Sequence, residues 1–146
     1  MLTDHRYVKI TGGYWQKKAA LNRDVTMNAV YDRFHETGRI DAFRCDWKEG
    51  MPNEPHVFWD SDVAKWMEGA AYILGQEKNP ALEEKVEALI DEIVKNQQPD
   101  GYFNIHFMVV EPDKRWTNRD CHELYCAGHL MEAACAYYNA TGKDRF

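Results

Sequence analysis

Residues 60–96, DSDVAKWMEGAAYILGQEKNPALEEKVEALIDEIVKN, predict two consecutive helices of different kinds. The first ends near Gly75 and has a very wide apolar arc, with polar residues at its start that can cap it. Asn79 and Pro80 then provide a favourable N-cap and first helical residue for the second. Its apolar residues form one stripe and its charged residues cover the rest, which is typical of a helix with one buried face.

The same arrangement recurs further along the chain. Met67-Glu68 and Met131-Glu132 are 64 residues apart, and each pair lies in a helical pattern with a wide apolar surface. The later helix, from about Cys121 to Thr141, has two opposite uncharged faces, so we expect it to be covered on two sides. A repeat of this length built from helix pairs indicates a helical array or toroid, with the helices covered on two sides forming an inner ring and the amphipathic helices an outer ring.

The remaining sequence adds a first helix and two long connections. No proline interrupts the pattern from Tyr14 to Glu36, and Thr37-Gly38 provides a stop. Connections as long as 38–59 and 98–120 usually carry functional residues. We expect a short β-hairpin within FNIHFMVV, residues 103–110. The predicted fold class is therefore all-α: a partial toroid of four to five helices with long loops, whose chain stops where the next outer helix should begin.

The composition excludes several classes of protein. The length of 146 residues suits one domain, and the net charge of −6 without a basic stripe argues against a nucleic-acid partner. No apolar run approaches the roughly 20 residues of a membrane span, and no apolar signal core opens the chain. Four cysteines, one of them far from the rest, do not form a disulfide scaffold. We therefore expect a cytoplasmic protein with reduced thiols.

The densest group of reactive side chains lies in RDCHELYCAGHLMEA, residues 119–133. On an α-helix His122, Cys126 and His129 fall along one face. At ~1.5 Å per residue they spread over about 10 Å, so one zinc ion cannot easily take all three. Three interpretations remain open: half a metal site from His122 and Cys126, packing of the small side chains against a neighbour, or contact between His122 and a ligand.

A second group, FWDSDVAKW at residues 58–66, combines carboxylates with tryptophans. Asp60 and Asp62 suit a catalytic pair, which glycosidases place roughly 5 to 10 Å apart, but aspartates at this spacing more often cap a helix. Trp59 offers a flat platform for a sugar, whereas Trp66 lies within the apolar arc and is expected in the core.

Four motifs resemble, in order, the N-terminal part of the family 127 glycoside hydrolases, the β-L-arabinofuranosidase-like enzymes. They are GYWQ…NRDVT…VYDRFHETGRIDAFR, WDSDVAKWMEGAAY, NQQPDGYFN and HELYCAGHLMEAA. The similarity runs from about Gly12 to the C-terminus, and the HELYCAGHL stretch is its most specific part. It implies an (α/α)6 barrel and the removal of L-arabinofuranose or related sugars with retention of anomeric configuration.

The resemblance also implies which functional residues to expect in this chain. Family members use a cysteine thiolate held on zinc by further cysteines and a glutamate, with another glutamate as acid/base, and nothing here matches that set. It implies His122 as a sugar-contacting histidine, with Asp62 and Trp59 at the pocket wall, and leaves Cys126 and Cys135 as packing residues. We therefore expect no catalytic residue and no zinc ligand here, and a fragment that is inactive alone. The alternative is a non-catalytic helical module that self-associates through an exposed inner face.

Overall fold

The computed structural model describes residues 4–146, and within them the regular secondary structure is entirely helical, with no strand. A π-helical stretch, Asn22–Thr26, joins α1 (Gly13–Leu21) to α2 (Met27–Glu36) in one continuous helix. Four further helices follow: α3 (Trp59–Leu74), α4 (Pro80–Asn96), α5 (Ile105–Val109) and α6 (Glu123–Thr141). Five helices, counting α1 and α2 as one, confirm the predicted all-α class.

Helix α4 begins and packs as its sequence predicts. The Asn79 side chain accepts a hydrogen bond from the Leu82 backbone N–H at 3.1 Å, and Pro80 occupies the first helical position. The apolar stripe is buried except at Val94, which is exposed. α4 is therefore an outer helix with one face against the core.

Helices α3 and α6 run parallel, and α4 runs antiparallel to both. Phe58 lies beside His122 at the start of the parallel pair, and Lys65 lies beside Tyr125 further along. The direction of α4 is reversed, because Glu83, near the start of α4, forms a 2.8 Å ion pair with Lys143, just after the end of α6. Helices α3 and α6 thus lie side by side with the amphipathic α4 outside them, as the repeat predicts.

Small residues let α3 and α6 approach closely. The buried alanines are Ala64, Ala70 and Ala71 of α3 and Ala133 and Ala136 of α6. Trp66 is buried as predicted, and its indole N–H donates to the Met27 carbonyl at 2.9 Å, which fastens α3 to α2. Because α3 and α6 run parallel, their first turns lie at the same end of the packed pair.

Two local predictions are wrong. Residues 103–110 do not form a β-hairpin, because Asn104 caps a short helix, α5, by accepting from the Phe107 N–H at 3.2 Å. Asp60 and Asp62 do not cap α3 either: its N-cap is Phe58, without a side-chain cap, and both aspartates lie in the first turn. The Asp60 side chain instead accepts from the Ile105 N–H, 45 residues further along the chain.

The second uncharged face of α6 is uncovered in this structure. Leu124 is 76% exposed and Met131 66% exposed, and Cys135 and Tyr138 on the same face are also exposed. The opposite face, including Cys126 and Ala133, packs against α3 and is buried. The expectation of cover on two sides therefore holds for one face only. Within residues 4–146, no helix combines the length and apolarity that a bilayer span requires.

Candidate functional site

A groove of about 690 Å³ opens at the first turns of α3 and α6. Its lining comes from three parts of the chain that are distant in sequence. The lining residues are Arg39, Glu54, His56, Phe58, Trp59, Ser61, Asp62, Lys65 and Tyr125. Polar hydrogen-bonding groups and flat aromatic rings thus share one concave surface, a combination typical of small-ligand sites.

Trp59 and Asp62, both predicted as wall residues, line this groove together. The Arg39 guanidinium lies 5.2 Å from the Trp59 ring centroid, and its Nε lies 3.2 Å from the Asp62 carboxylate. Arg39 also donates to the Thr37 hydroxyl at 2.8 Å, which fixes its orientation. The groove therefore presents a carboxylate that is already oriented by a cation, beside a mostly buried indole ring.

His122, the third predicted residue, lies at the neighbouring edge. Its backbone is left-handed, with φ of 61°, directly before α6, and its ring Nδ1 faces the Asp120 carbonyl. The ring contacts Phe58 at 4.6 Å between centroids and borders an adjoining cavity of about 260 Å³. Tyr125 lines both cavities, so the structure brings His122 next to the groove of Trp59 and Asp62 without placing it inside.

Several groove residues are not predicted from the sequence. The Lys65 ammonium donates to the Tyr125 hydroxyl at 2.7 Å across the α3–α6 interface. His56 stacks on Phe58 at 5.1 Å and extends the wall toward His122. Lys65 lies opposite the apolar arc of α3 and is exposed, so the sequence does not distinguish it from an ordinary solvated lysine.

Glu123, the residue after His122, fastens the preceding connection to α6. Its side chain is buried, with Oε2 accepting from the Trp116 backbone N–H at 2.7 Å and Oε1 accepting from the Tyr102 hydroxyl. The Arg115 guanidinium lies 3.5 Å from the Tyr102 ring centroid. Burial, followed by the bond to Glu123, raises the pKa of Tyr102, so its hydroxyl remains a donor. Glu123 thereby holds the connection that leads into His122.

Behind the groove wall lies a fully buried carboxylate, Asp60. Its Oδ1 accepts from the Ile105 N–H at 2.9 Å, while its Oδ2 has no hydrogen-bond partner. Burial raises the pKa of Asp60 to about 6, although the bond from Ile105 and the nearby His106 oppose the shift. Asp60 therefore ties α3 to α5 at the cost of placing a carboxylate in a desolvated position.

Replacing Asp60 by asparagine should change how stability depends on pH. A folded-state pKa of about 6 exceeds the ordinary 3.8, so the stabilising contribution of Asp60 is present below pH 3.8 and is lost as pH rises through about 6. Relative to wild type, Asp60→Asn should therefore gain about 3 kcal/mol in free energy of unfolding between pH 4 and pH 7. Urea unfolding across this range measures the difference.

The matched control for this prediction is Asp113→Asn, a carboxamide substitution at an exposed position. Its stability relative to wild type should stay constant over the same range. An Asp60→Asn protein that loses stability relative to wild type as pH rises would show that the buried carboxylate is stabilised as an anion.

The cysteines do not form the thiolate–zinc arrangement that the family resemblance implies. Cys126 is buried and its thiol donates to the Val57 carbonyl at 3.2 Å, which supports the packing interpretation of this residue. Burial raises the pKa of Cys45 to about 12 and that of Cys126 to about 11, so both thiols are protonated near neutral pH when no metal ion is bound. Cys135, also expected to be a packing residue, is exposed within the described residues. These thiols therefore do not fit the zinc centre of the family.

Comparison with known proteins identifies relatives of one kind. The GH127 β-L-arabinofuranosidase catalytic domain model matches residues 7–146. The non-reducing end β-L-arabinofuranosidase of Bifidobacterium longum subsp. longum is 38% identical over 96 residues, which cover 61% of this chain and 14% of that protein.

Two solved structures share the fold. A GH127 β-L-arabinofuranosidase from Geobacillus stearothermophilus T6 has a TM-score of 0.86 at 38% identity, covering 94% of this chain and 23% of that one. A second GH127 β-arabinofuranosidase has a TM-score of 0.86 at 29% identity, covering 96% and 24%. The chain thus spans less than a quarter of the length of these relatives. A family match over 7–146 and this shared helical architecture together show that the chain belongs to the GH127 glycoside hydrolases, as an N-terminal part of the catalytic domain.

Proposed function

We propose that this chain supplies part of the sugar-binding wall of a retaining glycoside hydrolase that acts on β-L-arabinofuranosides. The observation that carries the proposal is the meeting of Trp59 and Asp62 in one groove, with His122 at its edge. The names of the three relatives, all β-arabinofuranosidases, support the choice of sugar.

The groove chemistry suits a small polyol. The Asp62 carboxylate can accept hydrogen bonds from hydroxyl groups, and the Lys65 ammonium and Tyr125 hydroxyl, which also line the groove, offer donors. The half-buried Phe58 ring and the small exposed part of the Trp59 ring offer an apolar surface to the C–H groups of a furanose. Recognition by both classes of contact orients the sugar as well as holding it.

Hydrolysis is proposed to need residues outside this chain. The two cysteines with raised pKa values are poor nucleophiles, because the thiolate is the reactive form. The Asp62 carboxylate already forms an ion pair with the Arg39 guanidinium. We therefore expect binding without turnover.

The test combines an activity assay with a binding measurement on the 146-residue chain. Release of p-nitrophenol from the β-L-arabinofuranoside, with zinc and reductant present, should be absent. Saturation-transfer NMR with L-arabinose should give signals that weaken in His122→Ala and in Asp62→Asn and persist in Asp113→Asn. Turnover by this chain would overturn the assignment of catalysis to other residues, and equal NMR signals in all variants would overturn the groove as the sugar site.

The uncovered face of α6 favours a second candidate, a helical module that self-associates. Leu124, Met131 and Tyr138 form an exposed apolar face along the helix, and such faces commonly mark protein contacts. Sedimentation equilibrium should then show concentration-dependent dimers that Met131→Glu abolishes. A monomer at all concentrations would remove this candidate without affecting the first.

A further inference from the structure

We propose that Glu68, His129 and Glu132 form a binding site for one divalent transition-metal ion, independent of the sugar groove. Glu68 lies on α3, and the other two lie one turn apart on α6. Each residue offers a ligating atom, and these atoms all lie within 4.8 Å of one another. One imidazole nitrogen with two carboxylates is a donor set that zinc and related ions accept.

The position of the His129 nitrogen is the observation that points to an ion. Its Nδ1 is buried from solvent and has no hydrogen-bond partner, although the Glu132 Oε2 lies only 3.2 Å away. The two atoms approach each other without the geometry of a hydrogen bond. Ligands of one zinc ion behave in this way, because each is directed at the ion about 2.0–2.2 Å away and not at its neighbour. A bound ion would also satisfy a buried nitrogen that is otherwise unpaired.

The surroundings hold two of the three ligands and leave room for an ion to enter. The Tyr72 hydroxyl donates to the Glu68 Oε1 at 2.5 Å, and Tyr125 contacts the His129 ring at 4.5 Å between centroids. Such neighbours orient metal ligands and raise their affinity. The Glu132 side chain is 63% exposed, so it can rotate to close the site around an ion.

The site contains no cysteine, which distinguishes it from the thiolate–zinc chemistry that the family resemblance implies. It lies further along α6 than the wall residue Tyr125, two turns after His122. An ion there would link α3 to α6 and stabilise the packed pair in proportion to its affinity for the folded state. Binding would therefore be visible without any enzyme activity.

The test uses zinc chloride and the 146-residue chain after treatment with a chelator. Isothermal titration should show one equivalent of zinc, and zinc should raise the melting temperature. Glu68→Gln and His129→Gln should each weaken binding by more than about tenfold and abolish the thermal shift. Cys135→Ser and Cys121→Ser, which remove the two less buried thiols near the site in sequence, should bind as wild type does.

Two results would overturn the proposal: no stoichiometric zinc on the wild-type chain, or binding lost in a cysteine variant and kept in Glu68→Gln. Glu132→Gln provides a variant whose folding is not in question, because the side chain is largely exposed. It should fold as wild type by circular dichroism and still lose affinity. Retained affinity in this folded variant would also contradict the proposed ligand set.

Discussion

Replacing Phe43 by alanine should lower the free energy of unfolding by about 3–5 kcal/mol. Phe43 is fully buried, and its ring lies 5.8 Å from that of Phe103. Its backbone carbonyl accepts a hydrogen bond from the Asn96 side chain at 2.9 Å. The substitution would leave a cavity where the ring now lies between the end of α4 and the connection that carries Phe103.

Urea denaturation followed by circular dichroism measures this loss. Phe43→Leu retains most of the volume and should cost about 1.5 kcal/mol or less. Tyr14→Ala, on the exposed face of α1, should stay within about 0.5 kcal/mol of wild type. A Phe43→Ala protein as stable as Tyr14→Ala would mean that the connection after α2 is not part of the core.

The anchoring of Phe43 matters for the groove because the same connection carries groove residues on either side of it. Arg39 precedes Phe43 by one turn, and His56 follows it before α3. Neither lies in a long helix, so their positions depend on how the connection packs. Phe43→Ala should therefore weaken sugar binding, although Phe43 itself does not line the groove.

Local signals predict the helices well where the deciding contacts are local. Asn79 and Pro80 define the start of α4 because the cap bonds a backbone N–H three residues away. Asp60 is misassigned as a cap because its partner, Ile105, lies 45 residues further along the chain. Residues 103–110 are misassigned because a short apolar run suits a strand or a buried helix equally well.

The sequence predicts some residues of the candidate site and misses others. Trp59 and Asp62 stand together at one helix start, so their shared groove follows once α3 is placed. His122 is assigned through the family resemblance, and the parallel packing of α3 and α6 explains its position. The pairing of Lys65 with Tyr125 joins residues 60 apart, and no periodicity reports which face of α3 meets which face of α6.

Replacing Glu123 by alanine should cost about 3 kcal/mol of folding free energy and release the connection before α6. The carboxylate accepts hydrogen bonds from the Trp116 N–H and the Tyr102 hydroxyl, and each bond to a buried charge contributes about 1.5–3 kcal/mol. The substitution would also remove a negative charge from the first turn of α6, where the helix dipole favours one. Urea denaturation gives the loss, and limited proteolysis should show faster cleavage within residues 111–122.

Three further variants separate these contributions. Tyr102→Phe removes one donor and leaves the carboxylate bound to Trp116, so it should cost about 1–2 kcal/mol. Glu123→Gln retains an acceptor for one partner and should lie between Tyr102→Phe and the alanine variant. Glu84→Ala, an exposed position on α4, should unfold as wild type. If Glu123→Ala matched Glu84→Ala in both stability and cleavage, the buried carboxylate would not hold this connection, and the position of His122 would need another cause.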